Sequence, residues 1–187
     1  MGNFDLKEFA TTLIKSVEKA INSKCSFDFT KDPDIIEKNI IEYDSRMRVN
    51  AMEKFNGPCY VAAFNFYLSP ESLKSGDVKG TLILYLECDC AGGFLKKLGH
   101  KFDDDDQAIV CDYFAEFGNL AANQFKNDIS SKGFADLTIS APLKGINDIF
   151  EGVPFPYDEY KYYELSFHFL KQKGIVASLT MSPIPSK

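Results

Sequence analysis

The sequence predicts an α+β fold: an antiparallel sheet of about six strands with two long helices packed on one face. Three observations carry this. Apolar runs of strand length recur at residues 60–68, 80–87, 162–170 and 175–181. Turn signals join most of these runs, so hairpins are expected to outnumber crossovers. Two longer segments, 5–23 and about 106–130, instead repeat apolar residues every three or four positions, the period of a half-buried helix.

Each element follows from its own residues. In 5–23, Phe9, Leu13, Val17 and Ile21, with Leu6, Ile14 and Ala20, form one apolar face, and Lys7, Glu8, Lys15, Glu18 and Lys19 lie mainly opposite. Asp5 is the expected N-cap, with Glu8 at the capping-box position. Residues 27–33 read as a short extended stretch ending at the Asp32-Pro33 turn. Residues 34–56 fit either a helix or an irregular strand, with Ile35, Ile36, Ile40 and Ile41 turned toward a core. Asn56-Gly57 signals a turn between a preceding strand and 60–68. There Val61, Ala63 and Asn65 interleave with Ala62, Phe64 and Phe66, which is read as burial on one face. Residues 69–77 form a turn-rich loop, and 80–87 is a mainly apolar strand.

Residues 90–98 make a short helix stopped by Gly99. The acidic run 103–106 complements the dipole of the helix that follows, although four aspartates could also hold a divalent ion without the ordered spacing of a calcium loop. Residues 136–143 form a strand with Pro142 near its end, where proline is tolerated. A long loop over 145–160 leads to 162–170, whose Leu165, Phe167 and Phe169 alternate with Glu164, Ser166 and His168. Lys173-Gly174 turns the chain into 175–181. The whole of 1–187 is read as one domain, with 182–187 a frayed tail.

Composition narrows the function. The 45% hydrophobic and 14% aromatic content, with 17 Phe, fits a packed core rather than disorder. A net charge of −6 and a pI near 5.0 argue against a nucleic-acid partner, which needs a basic face. No apolar run is long enough to span a bilayer, and no secretory leader pattern opens the chain. Leu6 stands where myristoylation would need Ser or Thr. Cys25, Cys59, Cys88, Cys90 and Cys111 follow no disulfide or zinc spacing, so they are expected to be reduced in a cytoplasmic protein. His100 and His168 are read as surface histidines, and no nucleophile elbow, P-loop or dinucleotide fingerprint is present.

The helix over about 106–130 breaks local rules. Asp112, Glu116, Asn119 and Asn123 recur at i, i+4, i+7 and i+11, a polar stripe opposite the apolar one. Two mid-helix asparagines are poor helix formers, and Gly118 costs about 0.8–1 kcal/mol relative to Ala. Gly118 with Ala115, Ala121 and Ala122 would leave a low-relief surface that another backbone could approach.

Asp112-x3-Glu116-x2-Asn119 is followed, after twenty-two residues, by Pro142. This resembles the signature of the CheX/CheC/FliY family of response-regulator phosphatases. The flanking Glu116-Phe-Gly-Asn119, the alanines after it and Gly145 resemble CheX in particular. The resemblance is strongest over 80–145, and the segments around 34–56 and 147–160 are longer than the family pattern requires.

The resemblance implies a CheC-like pseudo-repeat fold. It also implies an enzyme that hydrolyses the aspartyl phosphate of a phosphorylated CheY-like receiver in chemotaxis or related two-component signalling. Glu116 and Asn119 would be its catalytic pair, with Asp112, Asn123 and Pro142 supporting or docking. No cofactor or metal would belong to this chain, because Mg²⁺ is expected in the partner receiver. Glu8-x2-Thr11, followed after twenty-one residues by Pro33, nearly repeats the spacing with Thr in place of Asn, so that first site should be defective. Two rival readings stand beside the phosphatase. One is a non-catalytic module that senses a phosphorylated receiver or forms part of a flagellar switch. The other is a helical-face homodimer whose polar stripe is solvated rim.

Overall fold

The computed structural model describes residues 5–25, 29–50, 52–101, 106–146, 152–169 and 172–187. Asp5 caps α1 (Leu6–Asn22), its side chain accepting from Lys7 N at 2.9 Å. The chain then forms β1 (Phe29–Asn39), the β2 (Glu42–Tyr43) and β3 (Arg46–Met47) hairpin, and α2 (Met52–Phe55). It continues through β4 (Cys59–Tyr67), α3 (Pro70–Ser75), β5 (Gly80–Glu87) and α4 (Cys88–Lys97) to the long α5 (Gln107–Ser131). β6 (Thr138–Ile139), β7 (Leu143–Ile146), β8 (Lys161–Phe169) and β9 (Gln172–Met181) complete it. The main sheet has seven antiparallel strands in the order β1-β8-β9-β5-β4-β6, with β7 also paired to β4. The α+β architecture therefore holds, with the three longest helices, α1, α4 and α5, on one face.

Helices α1, α4 and α5 close the main core on that face, through Phe9, Leu13, Phe94, Phe114, Phe117 and Phe125 against Phe64, Phe66, Leu84, Phe167 and Phe169. α1 and α5 run in opposite directions, tied by Glu8 to Lys132 at 2.7 Å and by Ser16 and Lys19 to Asp128, each at 2.8 Å.

The far face is also covered, which corrects the one-faced reading of β4. Met47, Val49, Val153 and Phe155 pack on Val61, Ala63, Ile83, Tyr85 and Val176, so all nine β4 residues are buried. Described parts of the two segments read as surplus length, around Met47–Val49 and Val153–Phe155, are thus brought together as a lid. Met47 and Val153 exchange backbone hydrogen bonds at 2.9 and 3.0 Å, and Tyr157 donates its hydroxyl to Ser45 O at 2.5 Å. Beneath the lid, Lys54 is 5% exposed and pairs with Glu164, which Lys38 also reaches at 2.9 Å. The Lys54 ammonium lies 5.2 Å from the Tyr85 ring centre and 5.3 Å from that of Tyr162.

Several boundaries differ from expectation, each for a local reason. β1 continues through Pro33, because an edge strand can lose one N–H, and its register shifts there. Asn56-Gly57 follows the short helix α2 rather than a strand, with Asn56 at φ 58°. Residues 70–75 are helical, since Ser69 caps Ser72 N at 3.2 Å and Pro70 opens the first turn. The strand expected over 136–143 divides into β6 and β7 around Pro142. Lys173 and Gly174 lie inside β9 rather than in a turn, and a Cβ at Gly174 would come within 2.3 Å of the Phe169 ring.

The tail expected to fray is held. Ser182 N donates to Lys79 O at 2.9 Å, Ala135 N to Pro185 O at 2.8 Å, and Ile184 is buried. Residues 103–105 of the acidic run and Phe27 lie outside the described residues.

Candidate functional site on helix α5

α5 starts where Asp106, the last residue of the acidic run, caps it by accepting from Ile109 N at 3.1 Å. Its buried stripe is Val110, Phe114, Phe117, Ala121, Phe125 and Ile129. Gly118 belongs to this buried side. A Cβ there would lie 2.7 Å from Phe64 Cε2 and 3.2 Å from Leu84 Cδ1. Ala115, Ala121 and Ala122 are buried too. The small residues therefore let α5 sit close on β4 and β5, and do not make an outward landing surface. The oddity at Gly118 has a packing cause.

The polar stripe faces outward as its spacing requires. Asp112, Glu116 and Asn119 are exposed and Asn123 is half-buried. The Asn123 amide donates to Asn119 O at 2.8 Å and to Asn119 Oδ1 at 3.1 Å. This occupies one lone pair of the Asn119 side-chain carbonyl and leaves its NH₂ directed away, with a second lone pair still available. Among the described residues Glu116 has no ion-pair partner. Asp112 pairs with Lys144 of β7, so the stripe is braced against the strand that Pro142 opens. Pro142 itself is half-buried and makes none of the hydrogen bonds around Glu116 and Asn119.

On the other flank of the stripe lies a depression of about 270 Å³. Phe117, Leu120 and Leu98 line it, with Glu116, Asn119, Asn123, Lys24 and His100 around them. His100 is no ordinary surface histidine: its ring stacks on Tyr113 at 4.1 Å and 28°. The sequence reading missed Lys24, His100 and Lys144 as site residues. Lys144 stands two residues past the motif proline, a signal that could have been used. Lys24 and His100 arrive only because the C-terminal ends of α1 and α4 meet beside α5, and no local pattern encodes that.

The nearby thiols are poor nucleophiles. Burial, reinforced by Asp89, Cys111 and Glu87, pushes Cys88 up to about 11, and burial beside Asp112 raises Cys111 as well. All five cysteines are free. The arrangement offers an exposed carboxylate and an oriented amide, which suit binding and the positioning of water.

Near-repeat residues on α1 are arranged differently. Glu8 is engaged by Lys132, and the Thr11 hydroxyl turns back to Lys7 O at 3.0 Å, while Pro33 lies in β1. His168 pairs with Asp34 at 3.0 Å on the outer strands.

No family model and no curated protein matches the sequence. Solved structures do match over nearly the whole chain. CheX from Vibrio vulnificus superposes with a TM-score of 0.59 at 12% identity, covering 94% of this chain and 99% of that one. CheX in the CheX–CheY–BeF₃–Mg²⁺ complex from Borrelia burgdorferi gives 0.56 at 14%, with 97% and 100% covered. Thermotoga maritima FliY gives 0.59 at 14%, with 96% and 86% covered. The chain has the CheX/CheC/FliY fold.

Proposed function

We propose that this chain, having that fold, is a phosphatase for the aspartyl phosphate of a CheY-like receiver, working in cytoplasmic chemotaxis or related two-component signalling. One observation carries the reading: Glu116 and Asn119 are exposed side by side on α5, with Asn119 held by Asn123. The likeness to a CheX solved with CheY, BeF₃ and Mg²⁺ supports a receiver as the partner.

In this reading the receiver supplies the acyl phosphate and its own Mg²⁺, and this chain supplies geometry. The free lone pair of Asn119 Oδ1 accepts a hydrogen bond from the attacking water and holds it in line with phosphorus. Water oxygen bonds to phosphorus while the acyl-phosphate P–O bond breaks. The receiver's aspartate leaves as carboxylate, and both protons of the water stay on the inorganic phosphate, formed as H₂PO₄⁻. An amide orients water in a comparable way in GTPases. Glu116 pairs with a lysine of the receiver through a charge-assisted hydrogen bond. Asp112 holds Lys144, and with it the strand behind Pro142, against the docking helix.

No helix among the described residues is long and apolar enough to cross a membrane. Asn119→Ala tests the reading: it should keep receiver binding and lower phosphate release about 100-fold. Undiminished turnover would remove this role. A wild-type chain that binds the phosphorylated receiver without hydrolysing it would be the sensing module instead.

A further inference from the structure

The depression beside the stripe has chemistry that water positioning alone does not require. Its Leu98 and Phe117 are buried and Leu120 is half-buried, so an apolar floor lies between the exposed Lys24 and the exposed Glu116 and Asn119. The acidic and amide groups come from α5. Opposite them, Lys24 follows α1 and His100 follows α4.

Around α5, Lys19, Lys132 and Lys144 are each neutralised by a carboxylate. Lys24 has no carboxylate partner among the described residues. His100 is held by its stack on Tyr113, so its ring is already placed before anything binds. A chain of net charge −6 thus sets an available ammonium and a fixed imidazole beside its only partly occupied amide.

We propose that Lys24 and His100 read the phosphoryl group, making the α5 face select phosphorylated over unphosphorylated receivers. This rests on the phosphatase reading and adds to it the residues that discriminate. A phosphoryl group brings two negative charges toward Glu116, which repels them. Lys24 offsets that repulsion, and the His100 N–H offers a hydrogen bond to a phosphoryl oxygen. Neither contact exists with an unmodified aspartate, whose charge stays inside the receiver's own pocket. Their effect is therefore a difference in affinity between two forms of one partner.

The test measures Kd for a panel of purified CheY-like receivers, each with and without beryllofluoride and Mg²⁺, alongside dephosphorylation rates. Wild type should prefer the beryllofluoride form. Lys24→Glu with His100→Gln should reduce that preference about tenfold or more, leaving affinity for the unmodified receiver unchanged. Lys24→Ala, which needs no refolding of the core, should give a smaller loss in the same direction. Asn119→Ala should keep the preference while losing turnover. An unchanged preference in the double variant, with Asn119→Ala inactive as expected, would overturn the inference and leave the phosphatase reading intact. Absence of both turnover and preference in wild type would overturn the two together.

Discussion

Asn119 is placed by one neighbour. The hydrogen bond from Asn123 Nδ2 to its Oδ1 selects the rotamer in which the NH₂ points outward, and the accompanying bond to Asn119 O anchors Asn123 itself. Removing it frees Asn119 to rotate, at a loss near that of one hydrogen bond, about 1 kcal/mol. Asn123→Ala should therefore lower kcat about five- to tenfold with KM nearly unchanged. A change confined to KM would make Asn123 a docking residue only. The stripe was legible because i, i+4, i+7, i+11 spacing fixes one helix face, but the Asn123–Asn119 bond was not. A second residue-scale expectation concerns Glu164. Burial raises its carboxyl, but Lys54 and then Lys38 outweigh that and hold it below the ordinary 4.5. A carboxyl whose folded value is depressed adds stability above its unfolded value and loses it as pH falls through the folded one. Wild type should lose denaturation midpoint on going from about pH 5 to about pH 3, and Glu164→Gln should show a shallower fall there. Parallel pH curves would contradict this. Alternation placed Glu164 opposite Leu165, yet nothing nearby in sequence announces Lys54 as its partner.

At the scale of elements, α5 shows where sequence patterning succeeds and where tertiary packing takes over. Its cap at Asp106 and its two stripes follow from local chemistry. Gly118 does not, because its cause is the approach of Phe64 and Leu84 from other strands. Gly118→Ala gains about 1 kcal/mol of helix propensity but drives a methyl into a fully buried ring, at a cost of about 1–3 kcal/mol. The expected outcome is a lower melting temperature, by roughly 2–4 °C per net kcal/mol for a chain of this size. A raised melting temperature would show that Phe64 can move aside. β1, β6 and β7 depart from the local pattern for a related reason: an edge position excuses Pro33, and β4 accepts two short strands on one edge around Pro142. α1 lies beside α5 with Glu8 already engaged by Lys132 and Thr11 by its own backbone. Glu8→Ala with Thr11→Ala should thus leave phosphate release at wild-type rate, since a short β-branched hydroxyl cannot present donor and acceptor in one plane as an amide does. Lost activity with an unchanged melting curve would mean two working faces per chain.

The molecule as a whole divides its two sheet faces between tasks. One carries α1, α4 and α5 and presents the stripe, and the other is closed by the lid around Met47, Val153 and Phe155. The fold class was legible because strand and helix periods differ. The lid was not, because Met47 and Val153, which pair across it, are 106 positions apart and bury apolar surface against the sheet and each other. This arrangement supports the sheet on both faces, so α5 can offer exposed polar groups without weakening the core. The central claim is that such a rigid α5 face speeds loss of a receiver's phosphate. The most direct measurement follows phosphate release from a phosphorylated CheY-like receiver as this protein is titrated in, with Glu116→Ala plus Asn119→Ala as the control. The account predicts a release rate that rises and saturates with wild type and stays at the receiver's own rate with the double variant. Saturable binding with no gain in release by wild type, across every receiver tested, would contradict it.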